Sequence, residues 1–280
     1  MRTLHNRQSG FTLVEMIMVI VITGIIGSMV AVFLKAPIQQ YMDVSRRAEL
    51  TDIADLAIRR IARDVRTAVP NSVRTAICGV ANSCVEYLPT KDGGRYRAEP
   101  PGNVLNFGVL DGSFAIIGTA INFAANDFIV VGSTQSDGNP PYDTTPAGIL
   151  RAYAGVAGLQ TTVNFNNTAL PIWAELSSQR FDVVDGAQRA VTYACENVGV
   201  NANGNGTGQL RRYWNYGFNV AQVNPPAGGQ NAILADKVSG CSIDYDLPNQ
   251  RFGLLAVRLT LTSGGESVSL YNEIHVNNAP

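Results

Sequence analysis

The sequence predicts an α+β fold: one long N-terminal helix, membrane-spanning in its first half, packed on a C-terminal antiparallel β-rich globular domain. Three observations carry this. An almost unbroken apolar run occupies residues 11–34, with Glu15 as its only charge. Apolar residues then recur at steps of three and four as far as Ala68, the spacing of one helix face. From Asn71 to Pro280 the pattern changes to short apolar or alternating runs divided by Gly, Pro, Asn and Asp, which reads as antiparallel strands and turns. The organisation expected is a leader over 1–10, a helix over 11–69 with its transmembrane part at 11–34, and an extracytoplasmic β domain over 70–280.

The leader is short and basic, carrying Arg2 and Arg7 and no acid. The 24 residues of Phe11 to Leu34 make a helix of roughly 36 Å at about 1.5 Å per residue, enough to cross a bilayer core of about 30 Å with some tilt. An ordinary secretory signal would place small residues after its apolar core, whereas Gly10 precedes this one. Arg2 and Arg7 ahead of the span favour a cytoplasmic N terminus, which sends the long C-terminal part outside. Glu15 sits five residues into the apolar segment, where an unpaired carboxylate costs at least about 2.5–3.5 kcal/mol. It needs a partner.

Beyond the span, Ile38, Tyr41, Met42, Leu50, Ile53, Ala54, Ala57, Ile61, Val65 and Ala68 form one apolar face. The rest is charged, from Arg46 and Arg47 to Arg63, Asp64 and Arg66. A solvated face is the default reading; the alternative pairs the Arg59 to Arg66 cluster with acids on adjacent subunits. Asp55 precedes Arg59 by four residues in the favourable orientation. Pro37 is a place for a kink, and the helix is expected to end near Val69, before Pro70.

In the β region the expected strands are Val104 to Leu110, Asp127 to Gly132, Ile149 to Tyr153, Phe181 to Val184, Ala190 to Cys195, Gln209 to Phe218 and Ser242 to Leu247. The clearest signal is C-terminal: Gly253 to Thr262 and Glu266 to Val276 flank Ser263-Gly264-Gly265, a glycine turn between alternating runs. Most of these strands are expected in one sheet system against the helix, over one sizeable core. Loops fall at Ser133 to Pro146 and Asn197 to Gly208. The second is glycine-rich but lacks the Lys-Ser/Thr of a phosphate loop, and a mobile surface loop is expected there.

Composition narrows the chemistry. Four cysteines, all beyond the apolar helix, form an even set that fits an oxidising compartment; Cys78–Cys84 with Cys195–Cys241 is the preferred pairing of three possible. No CxxC occurs and His275 is the only histidine outside the leader, so no metal or cofactor is expected. Asp137-Gly138-Asn139 alone does not make a calcium site. Without the leader, 19 of the 21 basic side chains remain against 22 acidic ones, which gives no footprint for nucleic acid. His275 has no nucleophile elbow to serve, so it reads as a strand-edge structural residue, and Trp173, Tyr213, Trp214 and Tyr216 read as packing aromatics before they read as a sugar surface. No catalytic residue and no enzymatic activity is expected.

Gly10-Phe11-Thr12-Leu13-Val14-Glu15 followed by the apolar helix resembles the processing site of the type IV pilin and type II secretion pseudopilin superfamily. The resemblance implies a prepilin peptidase that cuts after Gly10 and methylates the new amine of Phe11. It also implies that Glu15 neutralises the N-terminal amine of a neighbouring subunit while the helices pack into a filament. Arg46-Arg47-Ala48-Glu49-Leu50, Arg59-Arg60-Ile61-Ala62-Arg63-Asp64-Val65-Arg66 and the ending Leu270 to Val276 are similar to the MshO-type minor pilin of the mannose-sensitive haemagglutinin (MSHA) pilus system. The nearest relative class is the J-type minor pseudopilin of type II secretion. Implied partners are other minor pilins, the major pilin, prepilin peptidase, the inner-membrane assembly platform and membrane lipid, with the role of priming or capping pilus assembly. The implied location is the inner membrane, single-pass, with the C-terminal domain in the periplasm and, after assembly, at the pilus surface. The rival from another class is a signal-anchored periplasmic enzyme or sugar-binding module.

Overall fold

The structure, a computed structural model, describes residues 10–77, 83–134, 141–223, 225–245 and 253–276. One helix, α1 (Leu13–Arg66), runs without interruption through Pro37. The described strands follow. They are β1 (Arg74–Ile77), β2 (Ser83–Tyr87), β3 (Thr90–Tyr96), β4 (Leu110–Ile117), β5 (Ile121–Phe123), β6 (Phe128–Val131) and β7 (Leu150–Ala152). Next come β8 (Gly158–Gln160), β9 (Thr162–Ala169), β10 (Arg180–Val184), β11 (Val191–Glu196) and β12 (Gly208–Trp214). The last three are β13 (Gln230–Asp244), β14 (Leu254–Ser263) and β15 (Glu266–His275). The chain divides into two compact units, 1–49 and 50–280.

Within 50–280, the end of α1 is the first layer of a core. Leu50, Ala54, Ala57, Ile58, Ile61, Ala62 and Val65 are buried, a stripe at steps of one, three and four that a straight helix turns to one side. It packs on the inner face of a seven-stranded antiparallel sheet in the order β1-β2-β11-β12-β13-β14-β15, through Tyr87, Tyr193, Leu210, Val257, Leu259 and Ile274 among others. The period-2 alternation of β14, with Leu255, Val257, Leu259 and Leu261 inward, supplies most of the far half of that face. The β14–β15 turn is as tight as its glycines allow: Ser263 pairs with Glu266, and Gly264 and Gly265 both take positive φ, at 58° and 82°.

The single sheet system expected from the sequence is corrected here. A second sheet, six-stranded in the order β7-β6-β10-β3-β4-β9, is separate from the one that carries the helix, with a small β5-β8 pair. It has its own aromatic core, in which Phe114 meets Phe181 edge-on at 5.0 Å and Phe123 stacks on Tyr153 at 4.3 Å. Alternation along a strand says that one face is buried but not against what, so the helix was the only partner in view. The helix ends at Arg66, three residues before the expected Val69, because Val69 donates instead to the carbonyl of Leu88, 2.8 Å away. The strand expected at Val104 to Leu110 is irregular chain until β4 begins at Leu110.

The glycine-rich loop after β11 is also unlike the expectation of a mobile segment. It is fastened to the β14–β15 turn: Gly206 donates to Thr262, Gly265 donates to the carbonyl of Gly204, and the Asn205 side chain accepts from Gly264 at 2.7 Å. A Cβ on Gly206 would lie 2.0 Å from the carbonyl oxygen of Lys237. Glycine stands there for close backbone approach, not for freedom of motion.

Candidate processing and assembly site

Gly10 and Phe11 precede α1 in non-helical chain and are exposed, Phe11 at 83 %. The junction between them is therefore open backbone at a helix entrance. Thr12 and Glu15 then form a reciprocal cap. The Glu15 amide donates to Thr12 Oγ1 at 3.3 Å, and the Thr12 amide and hydroxyl both donate to Glu15 Oε2 at 3.1 Å. A Thr followed three residues later by Glu is the capping-box spacing, and it satisfies amides that the first turn leaves without partners. The carboxylate also faces the positive end of the helix dipole. Sequence reasoning read Glu15 as a charge in need of a partner and missed the hydrogen bonds that Thr12 makes to it within the chain; the Thr-x-x-Glu spacing was the signal.

Behind the cap, the large apolar side chains from Leu13 to Leu34 are all about half exposed or more. The segment is long and apolar enough to cross a membrane. Its few hydroxyls are turned inward on the helix itself: Thr23 donates to the carbonyl of Val19 and Ser28 to that of Ile25. Glu15 is thus the one charge that the span presents.

The other end of α1 is held by a polar lock that the sequence reading gave to solvent. Asp64 is only 18 % exposed at its side chain. It accepts from Tyr193 at 2.6 Å and Tyr87 at 3.2 Å, and lies 3.5 Å from the Arg212 guanidinium. Burial, with Asp64 nearby, pushes both phenols up, so each stays a hydroxyl donor. A second buried carboxylate, Glu86, is bound by Arg74 at 2.6 Å and by the Tyr216 hydroxyl at 2.7 Å. Burial pushes the Glu86 carboxyl up and Arg74 pulls it back. Asp55 and Arg59 meet at 2.7 Å as their spacing indicated.

Residues 5–31 match the family described as the prokaryotic N-terminal methylation motif. The N-terminal segment is similar to that motif. That match supports the type IV pilin and pseudopilin superfamily and indicates a type IV pilin-like protein processed by prepilin peptidase, a type that is generally non-enzymatic and assembles with other pilins. No curated protein and no solved structure shows significant similarity to the chain.

The remaining predicted positions are scattered. Cys195 on β11 is bonded to Cys241 on β13, their Cα atoms 6.4 Å apart. Cys84 is also disulfide-bonded; Cys78, the partner expected for it, lies outside the described residues, as do Asp137, Gly138 and Asn139. His275 is exposed at the end of the edge strand β15, opposite Leu254. Trp173, Trp214 and Tyr216 pack against core clusters and Tyr213 is 9 % exposed, so these aromatics belong to packing and not to one open surface. Among the described residues, no group of three His, Cys, Asp or Glu side chains could hold a metal ion.

Proposed function

We propose that this protein is a minor pilin of an MSHA-type pilus, cut between Gly10 and Phe11, N-methylated on Phe11, and used to prime or cap filament assembly. The observation that carries the reading is the methylation motif seated at the entrance of α1, ahead of an apolar span whose single charge is Glu15. The leader stays in the cytoplasm, the span anchors the chain in the inner membrane, and the β domain lies in the periplasm. Because the junction is on the cytoplasmic side, cleavage removes the leader without releasing the chain. The freed amine of Phe11, one residue from the Thr12–Glu15 cap, is a cation of the kind that a carboxylate within the membrane requires; a neighbouring subunit offers the same amine. Partner subunits and lipid then cover the exposed apolar surface. The MSHA assignment rests on the resemblance of the helix and of Leu270 to Val276 alone, with type II secretion as the competing system.

Mass spectrometry of the purified chain is expected to find an N terminus at Phe11 carrying one methyl group; an intact Met1 in cells with active peptidase would defeat the processing step. For assembly, Glu15→Leu and Glu15→Gln are compared. Glutamine keeps the capping-box hydrogen bond and removes only the charge. If the charge pairs with an amine, both variants insert and are cleaved, and both lose co-purification with partner pilins. Normal assembly of Glu15→Gln would show that the carboxylate serves only as a cap.

A further inference from the structure

The richest unassigned feature is a cleft of about 480 Å³ lined by the end of α1 and by strands β3 and β10 of the six-stranded sheet. Arg66 stands at its rim, on the last turn of α1. Arg95 and Arg180 lie in it directly opposite each other in the β3–β10 register. Two like charges at such a cross-strand position repel, which leaves both guanidinium groups favoured by an added anion. Neither the Arg66 nor the Arg180 guanidinium forms a hydrogen bond or ion pair with a described residue, while Arg95 spends only its Nε, on the carbonyl of Ser178. Beside them Gly93 keeps the floor low: a Cβ there would sit 3.1 Å from the Phe181 carbonyl and 3.3 Å from Asp182 Oδ1. Thr90, whose Oγ1 is buried without a hydrogen-bond partner, lines the same cleft.

Three guanidinium groups and an orphan hydroxyl around one concavity define an oxyanion site, since the guanidinium fork matches a carboxylate or phosphate. The two acids present choose between these. Asp182 and Asp92 share the lining, leaving a net charge of +1 when both are ionised. That balance suits a monoanion and disfavours a phosphate dianion. The arginines are exposed, so the site receives a group presented from outside and does not engulf a whole molecule. We infer that this cleft docks a carboxylate side chain presented by a partner polypeptide. The assignment is independent of how the N terminus is processed, because no residue of the cleft lies in the span.

The test uses the full chain in detergent and a labelled tetrapeptide with blocked termini and a single glutamate, alongside its glutamine counterpart and inorganic phosphate as competitor. The glutamate peptide is expected to bind and the glutamine peptide not to. Arg180→Gln and Arg66→Gln, chosen because neither guanidinium forms a hydrogen bond or ion pair with a described residue, should each weaken binding roughly two- to fivefold, the scale of an exposed ion pair. Asp182→Asn should tighten it, an opposite change that misfolding cannot imitate. Equal binding of the two peptides, or affinity unmoved by all three substitutions, overturns the proposal. Phosphate binding more tightly than the glutamate peptide overturns the assignment to a polypeptide carboxylate.

Discussion

At the scale of single residues, this chain spends charge in three different ways. Glu15 is placed where charge is costly and is held by its own cap; Asp64 is half-hidden and shared among two phenols and a guanidinium; Asp182 is desolvated with only Arg180 near enough to help. Burial raises the Asp182 carboxyl from its ordinary 3.8 to about 6, against the pull of Arg180. A carboxyl raised on folding contributes stability that is fully present below its unfolded value and lost as pH climbs through the folded one. Asp182→Asn should accordingly melt above the native protein at pH 7.5, with the difference vanishing below about pH 4. Thermal melts across that range check it, and equal melting temperatures at pH 7.5 would show that the carboxylate is well solvated. Glu86 differs, since Arg74 and Tyr216 compensate its burial and removing it leaves the Arg74 charge with only the carbonyls of Asn219 and Val220 as hydrogen-bond acceptors.

The elements show how far a pattern reaches. The stripe from Leu50 to Val65 was legible because a helix face repeats within a dozen residues, and the β14–β15 hairpin because its glycines mark the turn. Strand β3 was not legible: Thr-Lys-Asp-Gly-Gly-Arg-Tyr looks like a turn until Gly94 is seen lying against the ring of Phe181, where a Cβ would come within 3.1 Å. The polar strand β9 and most of β13 hid for a similar reason, since Asn, Gly and Lys interrupt their alternation. Asp64 was read as solvent-facing because its charged neighbours on the helix are, whereas its partners lie 23 and 129 residues away in sequence. The N-terminal methylation motif was the most visible feature because it is local. The stripe gives the sharpest test of the helix's packing. Ile61 is fully buried and Leu56 is 68 % exposed. Ile61→Ala should destabilise by about 2–5 kcal/mol and Leu56→Ala by roughly 0.5 or less, read from chemical unfolding of the detergent-solubilised protein. Similar losses for both would mean that the stripe does not carry the packing.

For the molecule as a whole, the fold class was legible and the layering was not. A seven-stranded sheet carries the end of α1, and a separate six-stranded sheet with its aromatic core holds the cleft at its rim. Sequence periodicity names faces, but which sheet a strand joins depends on chain crossings such as β2 to β11, which no local signal records. The Cys195–Cys241 bond ties two strands of the first sheet that flank β12. Between those cysteines, residues 219–223 carry exposed Val220 and Val223. A protease entering there would cut the backbone without parting the protein. Limited digestion should give a nicked species that migrates as one chain on a non-reducing gel and separates into two fragments only after reduction. The domain would in that way survive a severed backbone as a single covalent molecule.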